Sequence, residues 1–281
     1  MNGRVQVAIS ADGTEIVGRV RGQGPPLVLV HGGWGDGEVA YEALVPYLAD
    51  RFTCYTPSTR GRGLSADNPD HSVDRLVQDV IAFIDAISEP VYLVGWSGIE
   101  PPLGAATRSS AVSALALFEG YVPPVAEADD LANLGRAIER CAAAAADGRL
   151  PDAARAFAPF VLTDAELAAL DGDFLQRWGR SIPAMLQYFQ QNPPNHASRP
   201  YDTEQLAKIS APVVALWSPE TTNSAWVSKS AHYLARHVAD GHMRELAGGG
   251  HFAPLFAPEL LAKELISFFE LVPQLVADGG N

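Results

Sequence analysis

The chain has 281 residues, 47% of them hydrophobic, enough to bury the core of one large α/β domain that carries an insertion. Acidic residues outnumber basic ones by 33 to 20, and the formal charge of −13 opposes nucleic acid and anionic membrane surfaces as partners and favours a neutral or cationic small molecule. No run approaches the roughly 18 apolar residues of a membrane span, and the opening "MNGRVQVAIS" lacks the apolar region of a signal peptide, so a cytoplasmic location is expected.

In chain order, "RVQVAIS" and "TEIVGRV" flank "ADGT", an Asp-Gly turn that predicts a hairpin. Short apolar runs then predict strands at 27–30, 53–56, 91–94, 114–118, 213–217 and 243–246. Amphipathic segments between them predict helices near 39–49, 73–87, 101–109, 225–238 and 258–271. Runs without polar alternation fit strands covered on both faces, so the pattern predicts an α/β fold with a mostly parallel, doubly wound sheet. Between about 122 and 207 only helical stretches occur, such as "LANLGRAIERCAAAAADGRL". They read as a cap (122–207) inserted into a core domain made of 1–121 and 208–281, above the strand ends where open α/β sheets bind ligands. Cys54 and Cys141 form no disulfide framework and read as small core residues. His71, His196, His232, His237 and His242 show no H-x-x-x-H spacing, and no phosphate-binding glycine loop is present, so neither a metal nor a nucleotide cofactor is expected.

The chemistry concentrates in four stretches. "VYLVGWSGIE" reads as a strand, a tight turn and a helix start with Ser97 at the apex, and it keeps four of the five positions of the G-x-S-x-G nucleophile elbow, with Ile99 at the second glycine. "LVLVHGGWGDG" sets a His-Gly-Gly turn after a strand, where a backbone N–H can point at a developing oxyanion. "RGRGLS" follows the next strand, and "LAGGGHFAPLFAP" places His251 in a glycine-rich loop before the last helix.

In this order these residues resemble the α/β-hydrolase fold family, from about residue 5 to about residue 271. The resemblance implies that Ser97 is the nucleophile and His251 the general base, that the N–H groups of Gly33 and Gly98 form the oxyanion hole, and that His31 braces the glycine turn. Trp34, Trp96, Tyr121 and Tyr188 are expected to line the substrate pocket. Of the cap aromatics Tyr121, Phe157, Phe160, Trp178, Tyr188 and Phe189, at most one or two are expected there, the rest being helix core. Many relatives carry the triad acid in a Gly-x-x-Asp turn after the cap, but here that turn reads "LWSPETTNS", with Thr221 at the aspartate's place. An imidazole that takes up a proton needs an acceptor for its other nitrogen. Glu119, at the end of "ALALF", is the favoured candidate, because a subset of the family that includes haloalkane dehalogenases and zearalenone-type lactonases carries its acid there; Glu220 is the alternative.

Three departures from the family pattern carry expectations of their own. Ile99 demands extra room between helix and strand, while Pro101 and Pro102 suit a first helical turn. Glu100 reads as a helix-start carboxylate favoured by the dipole rather than as a pocket residue. Ser58 replaces a common aspartate. The expected activity is cleavage of a carboxylic ester or lactone of a small to medium apolar substrate through an acyl-enzyme, without cofactor or metal, by a monomer or homodimer. Carbon–carbon bond hydrolysis of a diketone would use the same residues. A decayed hydrolase serving as a binding module is the reading from a different class, and a Glu119–His251 separation of about 2.6 to 3.2 Å would speak against it.

Overall fold

The computed structural model describes residues 4–193 and 199–272; His196 lies outside them. Strands β1 (Arg4–Ile9) and β2 (Glu15–Gly22) form the expected antiparallel hairpin, turned by Gly13 at φ 87°. There follow β3 (Pro26–Val30), α1 (Val45–Leu48), β4 (Thr53–Pro57), α2 (Val73–Asp85), β5 (Val91–Trp96), α3 (Glu100–Arg108) and β6 (Val112–Phe118). Six helices come next: α4 (Ala128–Ala146), α5 (Leu150–Phe157), α6 (Asp164–Ala169), α7 (Gly172–Gly179), α8 (Ile182–Gln191) and α9 (Thr203–Leu206). The chain then returns to the sheet with β7 (Val213–Trp217), α10 (Ser224–His237) and β8 (Gly241–Glu245), and closes with α11 (Ala253–Phe256) and α12 (Pro258–Phe269).

The eight strands form one sheet in the order β1-β2-β4-β3-β5-β6-β7-β8, parallel from β4 through β8 with the hairpin antiparallel at one edge. Successive side chains of the central strands feed opposite faces. Leu27, Leu29, Val94, Trp96, Ala116 and Leu216 join one buried cluster, while Val28, Val30, Leu93, Leu115, Leu117 and Ala215 join the other. Two covered faces explain why these strands are apolar throughout rather than alternating.

The expected helix over 39–49 shrinks to the single turn of α1, preceded by turns. Pro46 has no N–H to donate to the carbonyl of Glu42, which interrupts the helical ladder there. The cluster on the face of Leu27 and Trp96 continues into the inserted helices through Phe157, Leu175, Trp178 and Met185. Trp34 Nε1 donates to the Trp178 carbonyl (3.2 Å) and the Gly35 N–H to Ser181 Oγ (2.9 Å), so the insertion is tied to the turn after β3. Cys54 and Cys141 are both buried, and burial pushes their thiols up to about 12 and about 11. Neither is a nucleophile near neutral pH. No helix among the described residues is long and apolar enough to cross a membrane.

Candidate active site

Ser97 sits between β5 and α3 with φ 63°, the left-handed backbone that a sharp strand-to-helix turn requires. Such a conformation costs a residue with a Cβ about 1–2 kcal/mol, so the surrounding packing must enforce it. Gly32 permits the close approach: a Cβ there would lie 2.8 Å from Ser97 Cβ and 2.9 Å from the Trp96 carbonyl oxygen. Gly95 similarly leaves room for Pro102, which with Pro101 stands in the first turn of α3.

Ile99 finds its space in the neighbouring strand end. A Cβ on Gly120 would stand 2.7 Å from both Ile99 Cδ1 and Cγ2, and Ile99 is buried. The elbow has thus exchanged its own glycine for one after β6. We expect Gly120→Ala to destabilise the protein by about 1–3 kcal/mol in urea unfolding, as overpacked cores do. Adding Ile99→Ala should recover part of that loss, a non-additivity diagnostic of direct contact; strictly additive effects would disprove the exchange.

His251 reaches the elbow from the loop between β8 and α11, where Gly248 and Gly250 have positive φ. Trp96 Nε1 donates to the His251 carbonyl (2.8 Å) and pins that loop to the end of β5. With the ring neutral and protonated on Nδ1, Nε2 accepts from the Ser97 hydroxyl at 3.1 Å and Nδ1–H donates to Glu119 Oε2 at 3.1 Å. Glu119 is completely buried just beyond β6, at φ 53°. Its other oxygen accepts the Ser218 N–H at 2.6 Å, and its own N–H donates to the Leu216 carbonyl, so the end of β7 holds the carboxylate in place. Glu220 turns outward, where the Gly248 amide and, after it, Ser218 Oγ (2.8 Å) donate to its carboxylate and hold it below the usual carboxylate range. Thr221 is buried, and its hydroxyl has no partner among the described residues.

Gly33 and Gly98 stand side by side at the wall of one cavity. A Cβ on Gly98 would come within 3.1 Å of Gly33 N, and neither amide donates to an acceptor among the described residues. Two buried side chains set the turn that carries Gly33. Burial and the neighbouring Arg62 charge hold His31 down to about 3, so the ring is neutral; it donates from Nδ1 to the Gly32 carbonyl (2.8 Å) and accepts the Thr59 N–H on Nε2 (3.0 Å). Arg62 Nη1 donates to the carbonyls of Gly33 (2.8 Å) and Gly35 (3.0 Å). Ser58, in the place of the missing aspartate, accepts the Gly37 N–H at 3.1 Å. Arg60 has a structural task, pairing with Asp79 and Asp12 in the core.

These groups open on a cavity of about 550 Å³, lined mainly by apolar side chains. Trp34, Trp96, Tyr121 and Tyr188 all line it. So do Phe157, Phe160 and Phe189, which corrects the expectation that at most one or two of the cap aromatics would; among the six, only Trp178 turns away, stacked on Phe174. Leu131, Leu134 and Ile138 of α4 complete the apolar wall. Their spacing is that of one helix face, but nothing in the sequence distinguishes a face packed on a cavity from one packed on a core.

Glu100 also departs from expectation. It is buried at the cavity wall, where Oε1 pairs with Arg199 Nη1 at 3.0 Å and Oε2 accepts the Tyr188 hydroxyl. Burial pushes its carboxyl above the usual range, against the pull of Arg199. The dipole of α3 is therefore not its only partner. No group of three or more His, Cys, Asp or Glu side chains among the described residues is arranged to hold a metal ion.

Residues 27–264 match the Alpha/beta hydrolase family, and the chain belongs to that family. Over 78 residues it is 37% identical to a pimeloyl-[acyl-carrier protein] methyl ester esterase of Aeromonas hydrophila subsp. hydrophila, a match that spans 27% of this chain and 29% of that relative. Among solved structures it is similar to an alpha/beta hydrolase from Sphaerobacter thermophilus DSM 20745, with a TM-score of 0.68, 27% identity and coverage of 94% of this chain and 100% of the other. An esterase from Rhodococcus sp. ECU1013 superposes with a TM-score of 0.73 at 23% identity, covering 96% of this chain and 99% of the other, which is a likeness of fold.

Proposed function

We propose that the protein is a serine hydrolase that cleaves a carboxylic ester or lactone of a small to medium apolar substrate through an acyl-enzyme. The observation that carries this reading is the unbroken line Ser97–His251–Glu119, with both contacts at 3.1 Å, opening on an apolar cavity beside two amides that have no acceptor among the described residues. In the proposed reaction Ser97 Oγ attacks the substrate carbonyl while His251 Nε2 takes its proton, and Glu119 stabilises the imidazolium through Nδ1–H. The oxyanion accepts from Gly33 and Gly98. Collapse breaks the acyl C–O bond and His251 returns the proton to the leaving oxygen. Water, deprotonated by the same nitrogen, then releases the acid and restores Ser97. In a lactone the leaving oxygen stays tethered to the acyl group.

The inserted helices, 122–207, act in this reading as a cap over the core formed by 1–121 and 208–281. Trp34, Trp96, Tyr121 and Tyr188 hold the substrate against it. The esterase names of the relatives agree with the chemistry proposed. The intact Glu119–His251 contact favours it over a decayed binding module, and a serine at the elbow favours acyl transfer over an alkyl-enzyme route. A panel of p-nitrophenyl esters of graded chain length, simple lactones and a β-diketone tests the reading. Turnover of esters or lactones with an inert diketone is the expected result. Cleavage of the diketone with inert esters would replace it with carbon–carbon bond hydrolysis.

A further inference from the structure

Acyl transfer leaves one end of the cavity without a task. There Arg199, 4% exposed, and Tyr201, 3% exposed, line the wall together with Glu100 and Tyr188. Arg199 gives Nη1 to Glu100 (3.0 Å) and Nη2 to the Pro193 carbonyl (2.5 Å), while its Nε–H has no acceptor among the described residues. The Tyr201 hydroxyl makes no hydrogen bond to the described residues either; only its carbonyl is engaged, by Tyr233. Both Glu100 oxygens are already occupied, one by Arg199 and one by Tyr188. Each Glu100 oxygen thus has a donor already, and the wall offers two donors that the described residues do not engage; of these Arg199 Nε–H is fully buried, and buried donors without acceptors are uncommon in folded proteins.

We propose that this end of the cavity recognises an uncharged oxygen of the substrate, a ketone or hydroxyl, which accepts hydrogen bonds from Arg199 Nε–H and Tyr201 O–H. Charge decides against an anion. The Arg199 charge is compensated by Glu100, and a second carboxylate brought into this desolvated space would face Glu100 with no counterion of its own. A cation would meet the guanidinium. Glu100 opens α3 shortly after Ser97, and both line the same cavity as Arg199 and Tyr201, so one substrate can reach the nucleophile and these donors together; the spacing between its two oxygens is read by the test. The inference rests on the reading of the cavity as the substrate site and adds the substrate class: an ester or lactone with a second, neutral oxygen on its acyl or alcohol part.

The test reads binding rather than turnover. Ser97→Ala protein is titrated, by tryptophan fluorescence, with methyl hexanoate, methyl 5-oxohexanoate and monomethyl glutarate, which place a methylene, a ketone and a carboxylate at the same position, and with homologues two methylenes longer. The oxo ester should bind about tenfold more tightly than the plain ester at one of the two lengths, and the carboxylate no better than the plain ester. Tyr201→Phe and Arg199→Lys, each checked for fold by circular dichroism, should shrink the oxo preference to about threefold or less. Because Arg199→Lys removes two of the three guanidinium nitrogens and so disturbs Glu100 as well, Tyr201→Phe is the deciding variant. Equal binding of oxo and plain esters, or an undiminished preference in Tyr201→Phe, would overturn this inference while leaving the hydrolase reading intact. No binding of any ester would overturn both.

Discussion

Replacing Ser97 with alanine should lower ester hydrolysis by at least about 10⁴-fold, with little change in unfolding midpoint. In the proposed reaction the oxygen removed is the attacking group: it lies 3.1 Å from His251 Nε2, at the cavity that Gly33 and Gly98 also line. Residual activity would come from their amides and the cavity alone. Alanine also accepts the positive φ at residue 97 no worse than serine does, so a loss of activity would report chemistry rather than folding. If Ser97→Ala keeps more than about a tenth of the wild-type rate, the serine is not the nucleophile.

The second large effect separates two glutamates that the sequence alone leaves in competition. Glu119→Gln should reduce kcat by about 10⁴-fold, because the amide can present its NH₂ to Nδ1 and hold the imidazole in the wrong tautomer. Glu220→Gln should leave kcat within about twofold, as an exposed substitution away from the reacting atoms does. The geometry behind this contrast is direct. Glu119 is buried between His251 Nδ1 and the Ser218 amide, whereas Glu220 points to solvent and bonds the Ser218 hydroxyl. Inverted sensitivities, with Glu220→Gln inactive, would mean that the loop carrying Glu220 rearranges to supply the acid.

Glu119 shares an unusual feature with Ser97. Among the described residues only Ser88, Ser97 and Glu119 adopt positive φ without being glycine. Adjacent strands of one sheet, β5 and β6, are thus each followed directly by a left-handed residue whose side chain bonds His251. Backbone strain of this kind persists only where the surroundings enforce it. Here they do so through hydrogen bonds that cross strands: the Ser97 N–H donates to the Phe118 carbonyl, and the Glu119 N–H to the Leu216 carbonyl.

Much of the fold is legible in the sequence. The strands, the crossover helices and the order of the glycine turns follow from local patterns of apolar residues and turn formers, which act over a few positions. Ser97 and His251 stand out through the order of motifs that resembles the α/β-hydrolase family, and Glu119 through the acid position of a subset of that family. What escaped were pairings across long sequence separations. Glu100 looked like a residue that gains only from a helix dipole, because its partners Tyr188 and Arg199 lie about 90 and 100 positions later. The exchange of glycine between positions 99 and 120 was equally hidden, since neither residue is unusual alone. The cavity lining from α4 was illegible for a related reason: an apolar stripe has the same sequence whether it faces another helix or a ligand.

The most direct measurement is the intact mass of the protein after treatment with a small alkyl fluorophosphonate, with Ser97→Ala treated in parallel. The account predicts one phosphonyl adduct on the wild type and none on the variant, because only a serine that hands its proton to His251 displaces fluoride at neutral pH. A folded wild type that stays unmodified, or an adduct that persists in Ser97→Ala, would contradict the assignment of Ser97 as an activated nucleophile.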